Sequence, residues 1–235
     1  PSSCSTQRND TPRQVFKYRT HMNHNKHFHR LLMALTAWTW ALAAPMTGRA
    51  QAMPAKMVTY RNACLRMIDG MALRDKYALY EAKAAFDSVS LETVDLACTE
   101  GGEAQRPPTV LYCADYADSL IKHDFISAHL DNITIMRNNV SGDLMVFHRS
   151  LAPHASVTYQ WEGHDECSLM VVSQQATQLH VSVTDLSLGQ QWKANATPDG
   201  HCLQASWTMG NDDSPYAIRM ENTGDEPVSF VVALN

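Results

Sequence analysis

The 235-residue sequence lacks the short motifs that mark common catalytic sites. It has no G-x-S-x-G, no H-E-x-x-H, no G-x-x-x-x-G-K-[ST] and no G-x-G-x-x-G. These absences argue against an α/β-hydrolase, a zinc peptidase and the common nucleotide-binding loops. Cys113 and His123 could serve as a nucleophile and its base, but a cysteine at the start of a predicted helix more often packs in the core.

The sequence also lacks an apolar run long enough to span a membrane. Its longest run, Leu31–Ala44, has fourteen residues, whereas a spanning helix needs about 20. Basic residues precede the run, and Pro45 and an A-x-A site ending at Ala52 follow it, which is the pattern of a secretory signal peptide over 22–52. We therefore expect an exported protein, periplasmic or extracellular, that begins near Met53. The polar residues 1–21 are interpreted as upstream sequence that is not part of the native protein.

Positive charge is scarce after the predicted signal peptide. Residues 53–235 contain 12 Lys and Arg against 23 Asp and Glu, a net charge of −11. A surface of this sign repels phosphate backbones, so we expect no nucleic-acid partner. No second apolar run approaches spanning length, which predicts a mature chain without a transmembrane segment.

The cysteines show no C-x-x-C spacing, which argues against a zinc ribbon or a thioredoxin-type site. Five of them follow the signal peptide, namely Cys64, Cys98, Cys113, Cys167 and Cys202. Export would permit disulfides, and the favoured pair is Cys167 with Cys202, because both lie in the strand-rich half. The alternative is that most of these cysteines are small buried apolar residues.

Helical spacing dominates the first mature region, 53–129. Tyr60, Cys64, Met67, Ile68 and Met71 recur on one helical face, and similar spacing continues to about residue 88, which predicts a helical hairpin or one kinked helix. Residues 99–108 contain two Gly and two Pro and are interpreted as a linker. A short strand and a helix over about 114–122 are predicted to follow.

From residue 130 the apolar period changes to two, which indicates short strands separated by polar turns. We therefore predict an α+β fold, in which an N-terminal helical segment precedes an antiparallel β-sandwich of jelly-roll type over 130–235. The last strand is apolar on both faces, with Phe230, Val232 and Leu234 in phase. We expect this strand to pair with 216–221 as a terminal hairpin, with the sandwich core on one face and the helical segment on the other.

The C-terminal 85 residues or so resemble the prepeptidase C-terminal β-sandwich that is appended to secreted bacterial enzymes. The residues that match its pattern are Leu151, Pro153, Asp213, Tyr216 and Ile218, whereas His154 stands where that family usually has glycine. The resemblance implies a β-sandwich accessory domain. The chain as a whole is similar to small uncharacterised secreted bacterial proteins, and this similarity implies no activity.

Two oxygen-rich segments are candidate calcium loops. One contains His164, Asp165 and Glu166, and the other contains Asn211, Asp212 and Asp213. Calcium takes six to eight oxygen ligands, but neither segment has the alternating order of a dedicated loop. Solvent-exposed turns rich in Asp and Asn are the favoured interpretation of both segments, so we expect no cofactor and no metal, with calcium as the weaker alternative. The metal interpretation gains if the two loops meet at one end of the sandwich.

Trp192 has polar neighbours on both sides and is the candidate exposed aromatic for stacking on a sugar. With Asn211, Asp212 and Asp213 it forms the predicted binding set, whereas Trp161 and Trp207 are predicted to be core residues. We conclude that the sequence favours an exported, non-catalytic protein, associated with the cell envelope or binding a glycan or protein ligand. The alternative is a secreted hydrolase whose catalytic residues come together only in three dimensions, and a third interpretation is a purely structural role.

Overall fold

The computed structural model describes residues 52–125, 144–163, 166–208 and 215–235, and it confirms the predicted α+β class. The helices in this part of the chain are α1 (Ala55–Leu73), α2 (Lys76–Asp87) and α3 (Ala114–Lys122). The strands are β1 (Leu91–Thr93), β2 (Cys98–Glu100), β3 (Gln105–Arg106), β4 (Leu144–Leu151), β5 (Ser156–Glu162), β6 (Glu166–Val172), β7 (Leu179–Asp185), β8 (Gln191–Lys193), β9 (Asn195–Ala196), β10 (Cys202–Thr208), β11 (Pro215–Asn222) and β12 (Val228–Leu234).

These strands form two sheets. The first sheet has the order β1-β4-β12-β6-β10-β9, with β3 also paired to β4, and the second has the order β2-β5-β11-β7-β8. All the pairs are antiparallel except β1 with β4, which is parallel. The two sheets pack face to face, as the predicted sandwich requires.

The helices cover the first sheet, so the described chain has three layers. One apolar core lies between the helices and the outer face of the first sheet, and it includes Tyr60, Met67 and Val231. A second core fills the space between the two sheets, and it includes Tyr159, Ile218 and Phe230. The outer face of the second sheet belongs to neither core and faces solvent.

The helical hairpin follows from local sequence signals. The buried face of α1 contains the predicted Tyr60, Cys64, Met67 and Ile68. Arg74 takes a left-handed conformation and ends α1, and the Asp75 carboxylate then accepts a hydrogen bond from Tyr77 N at 2.8 Å, which caps α2. No helix among the described residues is both long enough and apolar enough to cross a membrane.

The terminal strand β12 lies inside the first sheet, between β4 and β6. Its two faces are as predicted, because Phe230, Val232 and Leu234 enter the core between the sheets while Val231 and Ala233 pack under the helices. The predicted pairing with 216–221 is wrong. Strand β11 belongs to the second sheet, so the chain crosses from one sheet to the other between β11 and β12.

Asn222 fixes this crossing at the end of β11. Its buried side-chain amide donates to the carbonyl oxygens of Leu151, Ala152 and Glu226 at 3.3, 3.0 and 2.8 Å. Its side-chain oxygen accepts a hydrogen bond from Gly224 N at 2.9 Å. These bonds hold the chain in the path between the sheets and replace the tight hairpin turn that the sequence indicates.

The segment 99–108, predicted to be a linker, overlaps two strands. β2 pairs with β5 in the second sheet, and β3 pairs with β4 in the first. Gly101 lies between them with a φ of 73°, where an added Cβ would overlap the Ser156 carbonyl oxygen. Glycine is therefore needed here by the path of the chain and is not a sign of a flexible connection.

Candidate functional site

A cleft of about 460 Å³ lies beside strand β7. β8 pairs with β7 only through residues 191–193 and 182–184. One further bond joins Ala194 N to Val181 O at 3.0 Å, and the chain then enters β9, which pairs with β10 of the first sheet. Residues 193–196 pass from the second sheet to the first. The early part of β7 therefore has no strand paired with it on the β8 side, and the cleft opens there.

The cleft combines apolar and polar surfaces. Leu179, Val181 and Leu203 belong to the core between the sheets and form its apolar side together with Ala194. His180, Ser182, Gln191 and Glu221 are among the polar residues that line it. A cavity of this size with an apolar side and several polar groups is typical of ligand-binding sites.

Two cations stand in one row across the second sheet at this cleft. Ser182 is opposite Lys193 on β8 and opposite Arg219 on β11, so the three side chains project from the same face. Strands in a sheet lie about 4.8 Å apart, which puts the Lys193 and Arg219 Cα atoms roughly 10 Å apart. Both side chains line the cleft and both residues are exposed.

Glu221 is the one acid among the described residues that line the cleft, and it is opposite His180 in the β7–β11 ladder. Neither Lys193 nor Arg219 forms an ion pair with a carboxylate in the described parts of the chain. Arg219 instead donates to the Ser156 hydroxyl at 3.3 Å. The row therefore presents positive charge that is not neutralised by direct contact.

Sequence reasoning missed this cleft, although one signal was present. Lys193 and Arg219 are the only Lys or Arg residues in 151–235, a stretch that contains ten Asp and Glu. Two isolated cations at outward positions of strands in an acidic region are a recognisable pattern. That they share one row depends on the pairing of β7, β8 and β11, which the sequence does not state.

Trp192, the predicted sugar-stacking residue, is half-buried and turned toward the core. It is opposite the buried Val183, and its ring stacks on Trp207 with centroids 5.7 Å apart and an interplanar angle of 24°. Its ring also meets Tyr216 edge-on at 6.3 Å. The polar neighbours that suggested exposure are the outward residues of the same strand. Trp161 and Trp207 are buried, as predicted.

The acidic segments lie mostly outside the described residues, which include Glu166 but not His164, Asp165, Asn211, Asp212 or Asp213. Glu166 is exposed at the first position of β6. Glu162 is opposite Pro215 and Glu166 is opposite Thr208, so the described strand ends that flank the two segments lie at the same end of the sandwich. Within the described ranges, no three His, Cys, Asp or Glu side chains form a group that could hold a metal.

The predicted disulfide between Cys167 and Cys202 is not formed. Cys167 is opposite Trp207 and Cys202 is opposite Val172, so the two cysteines stand at opposite ends of the β6–β10 ladder, on the order of 17 Å apart. They also face different cores, since Cys202 packs with the helices and Cys167 between the sheets. A disulfide requires Cα atoms within about 7 Å of each other.

Cys113 and His123 do not form a nucleophile and base pair. They flank α3 at its two ends, ten positions apart, which separates them by roughly 15 Å along the helix. Burial raises the pKa of the Cys113 thiol to about 11, so the thiol stays protonated at neutral pH and is a poor nucleophile. Cys113 therefore packs in the core between the helices and the first sheet.

No protein-family model matches the chain, and no curated protein matches it. Among solved structures, the pre-peptidase C-terminal domain of a collagenase from Bacillus anthracis is 10% identical over 38% of this chain and 87% of that one, with a TM-score of 0.33. The Aeromonas hydrophila protein PliG, a periplasmic inhibitor of g-type lysozyme, is 15% identical over 42% and 90%, with a TM-score of 0.29.

A carbohydrate-binding module of family 29, solved with cellulohexaose, is 9% identical over 43% of this chain and 88% of that one, with a TM-score of 0.26. The first of these structures is of the type that the sequence resemblance indicated. At such identities and TM-scores, these likenesses assign no function to the chain.

Proposed function

We propose that this chain is an exported, non-catalytic binding protein whose ligand site is the cleft beside β7. The observation that carries the proposal is the departure of β8 from β7, which opens a cleft of about 460 Å³ at the solvent-exposed sheet. Among the described residues, the helices cover the outer face of the other sheet. The sandwich thus serves as a rigid scaffold that presents the outer face of the second sheet to a ligand.

The composition of the cleft favours a segment of another protein as the ligand. Leu179, Val181, Leu203 and Ala194 offer an apolar surface that suits an aliphatic side chain. Sugar binding commonly uses an exposed aromatic ring, but the Trp192 ring packs against Trp207 instead. The alternating polar and apolar surface of the cleft matches the alternating character of a peptide better than that of a neutral glycan.

The state of the buried thiols and of the buried imidazole is also consistent with a protein that binds a ligand and does not catalyse a reaction. Burial raises the pKa of the thiols of Cys113 and Cys202 to about 11 and about 12, which keeps them neutral and unreactive. His148 is buried as well, and its Nε2 accepts a hydrogen bond from the backbone N–H of Tyr112 at 3.0 Å. These groups stabilise the core between the helices and the first sheet and are remote from solvent.

The proposal is tested with an array of random-sequence decapeptides printed beside a glycan array. Ala196 lines the cleft and is exposed, so Ala196→Tyr fills the cleft without disturbing the core. The matched control is Ala84→Tyr, at an exposed position of α2. We expect the natural chain and the control to retain peptides and Ala196→Tyr to lose at least tenfold in affinity. Equal retention by all three proteins would place the ligand elsewhere.

Export is tested separately by N-terminal sequencing of the protein recovered from the medium or the periplasm. The signal-peptide pattern over 22–52 leads us to expect a mature chain that starts at or near Met53. A mature protein that still contains the apolar run Leu31–Ala44 would contradict this part of the proposal.

A further inference from the structure

The charges of the cleft point to the kind of ligand it selects. The stretch 151–235 contains two Lys or Arg residues against ten Asp and Glu, and both cations line this one cleft. They occupy neighbouring positions in a single row, on either side of Ser182. Neither cation forms an ion pair with a carboxylate within the described residues, so both charges are available to a ligand.

The geometry of the row suits a carboxylate. Lys193 and Arg219 start roughly 10 Å apart, about two strand spacings. Arg219 reaches toward Ser156 on β5, so its side chain must turn from that hydroxyl to meet Lys193 at a carboxylate bound above Ser182. A guanidinium can grip a carboxylate through two parallel hydrogen bonds, an ammonium adds a point charge, and the Ser182 hydroxyl between them can donate a further bond. Glu221 is one row away opposite His180 and is not in register with Ser182.

We infer that the cleft selects an acidic peptide, with one ligand carboxylate held between Lys193 and Arg219 and a neighbouring aliphatic side chain placed against Leu179 and Val181. This inference rests on the proposed function and names its ligand class. The excess of acidic residues over the rest of 151–235 would repel such a ligand, so its binding is favoured at the cleft, where both cations of this stretch are exposed.

The experiment uses the decapeptide array in three forms. One form carries acidic side chains and an amidated C-terminus, the second has each Asp and Glu replaced by Asn and Gln, and the third has neutral side chains with a free C-terminal carboxylate. The natural chain is compared with the double variant Lys193→Gln and Arg219→Gln. The control double variant, Arg74→Gln with Lys122→Gln, removes two exposed cations on the helices.

We expect the neutral, amidated peptides to bind at least tenfold more weakly than the acidic ones, since charge-assisted hydrogen bonds are the strong ones. The double variant Lys193→Gln and Arg219→Gln should lose this preference for acidic peptides. The control double variant on the helical hairpin and α3 should keep it. Binding should also weaken as salt is raised. The third form shows whether a terminal carboxylate substitutes for a side-chain one.

Two results would overturn the inference. If acidic and neutral peptides bind equally well but Ala196→Tyr still abolishes binding, the cleft is the ligand site and the preference for a carboxylate is wrong. If the array retains only glycans, the choice of a peptide is wrong. If Ala196→Tyr leaves peptide binding unchanged, the proposed function itself fails, whatever the charge preference.

Discussion

Acidification should destabilise this protein, and His148 should make a distinct contribution above pH 5. The imidazole is 5% exposed on β4, and its Nε2 accepts a hydrogen bond from Tyr112 N at 3.0 Å. Burial, reinforced by the positive charge of Arg149, lowers the pKa of His148 from 6.5 to about 4. The folded state therefore holds a neutral imidazole at pH values where the unfolded chain binds a proton.

The sign and size of the effect follow from this difference. Because the folded pKa is lowered, the stabilisation is fully present above pH 6.5 and is lost as the pH falls from 6.5 to about 4. A lowering of this size corresponds to about 3 kcal/mol of unfolding free energy, of which roughly 2 kcal/mol is lost by pH 5. Below pH 4 this contribution does not change further.

The assay is urea unfolding between pH 7.5 and pH 5, followed by tryptophan fluorescence. His148→Gln retains a hydrogen-bond acceptor near Tyr112 N and does not titrate, so its unfolding free energy should fall by about 2 kcal/mol less than that of the natural chain over this range. His180→Gln, at an exposed position, is the control and should behave like the natural chain. Parallel pH dependence of the natural chain and His148→Gln would refute the reasoning.

Three further substitutions test the fold, each by urea unfolding. Phe230→Ala should cost about 3–5 kcal/mol, because the side chain is fully buried between the sheets, and an unchanged midpoint would place β12 at the periphery. Asn222→Ala should cost about 2–3 kcal/mol, because it leaves carbonyl oxygens at the sheet crossing without a donor; a loss below 0.5 kcal/mol would mean that water replaces the amide. Gly101→Ala should also destabilise, through the clash with the Ser156 carbonyl oxygen, and equal stability of the two proteins would contradict the φ of 73°.

Alternation along the strands was sufficient to predict which side chains enter a core. Phe230 and Val232 point between the sheets and Val231 points toward the helices, as the period of two requires. The partners of β12 were not predictable in the same way. In sequence the turn between β11 and β12 looks like a hairpin, but the chain changes sheets there, and the path depends on contacts of Asn222 with carbonyl groups about 70 residues earlier in the chain.

The site was less predictable than the fold, because it depends on the pairing between strands. Trp192 has polar sequence neighbours, but its position opposite Val183 turns the ring inward. Lys193 and Arg219 are 26 positions apart in sequence and become neighbours of Ser182 only when β7 lies between β8 and β11. Local patterns determine which face a residue occupies, whereas long-range pairing determines which residues share that face.

The central claim, that the ligand occupies the cleft beside β7, is tested most directly by NMR. A ¹⁵N-labelled chain starting at Met53 is titrated with an acidic decapeptide selected from the array, and the backbone amide shifts are mapped. We expect the largest changes at Leu179–Ser182 and Lys193–Ala196, around the cleft. Changes concentrated instead at Leu73, Tyr77 and Tyr80, the exposed apolar side chains of the helical hairpin, would contradict the account.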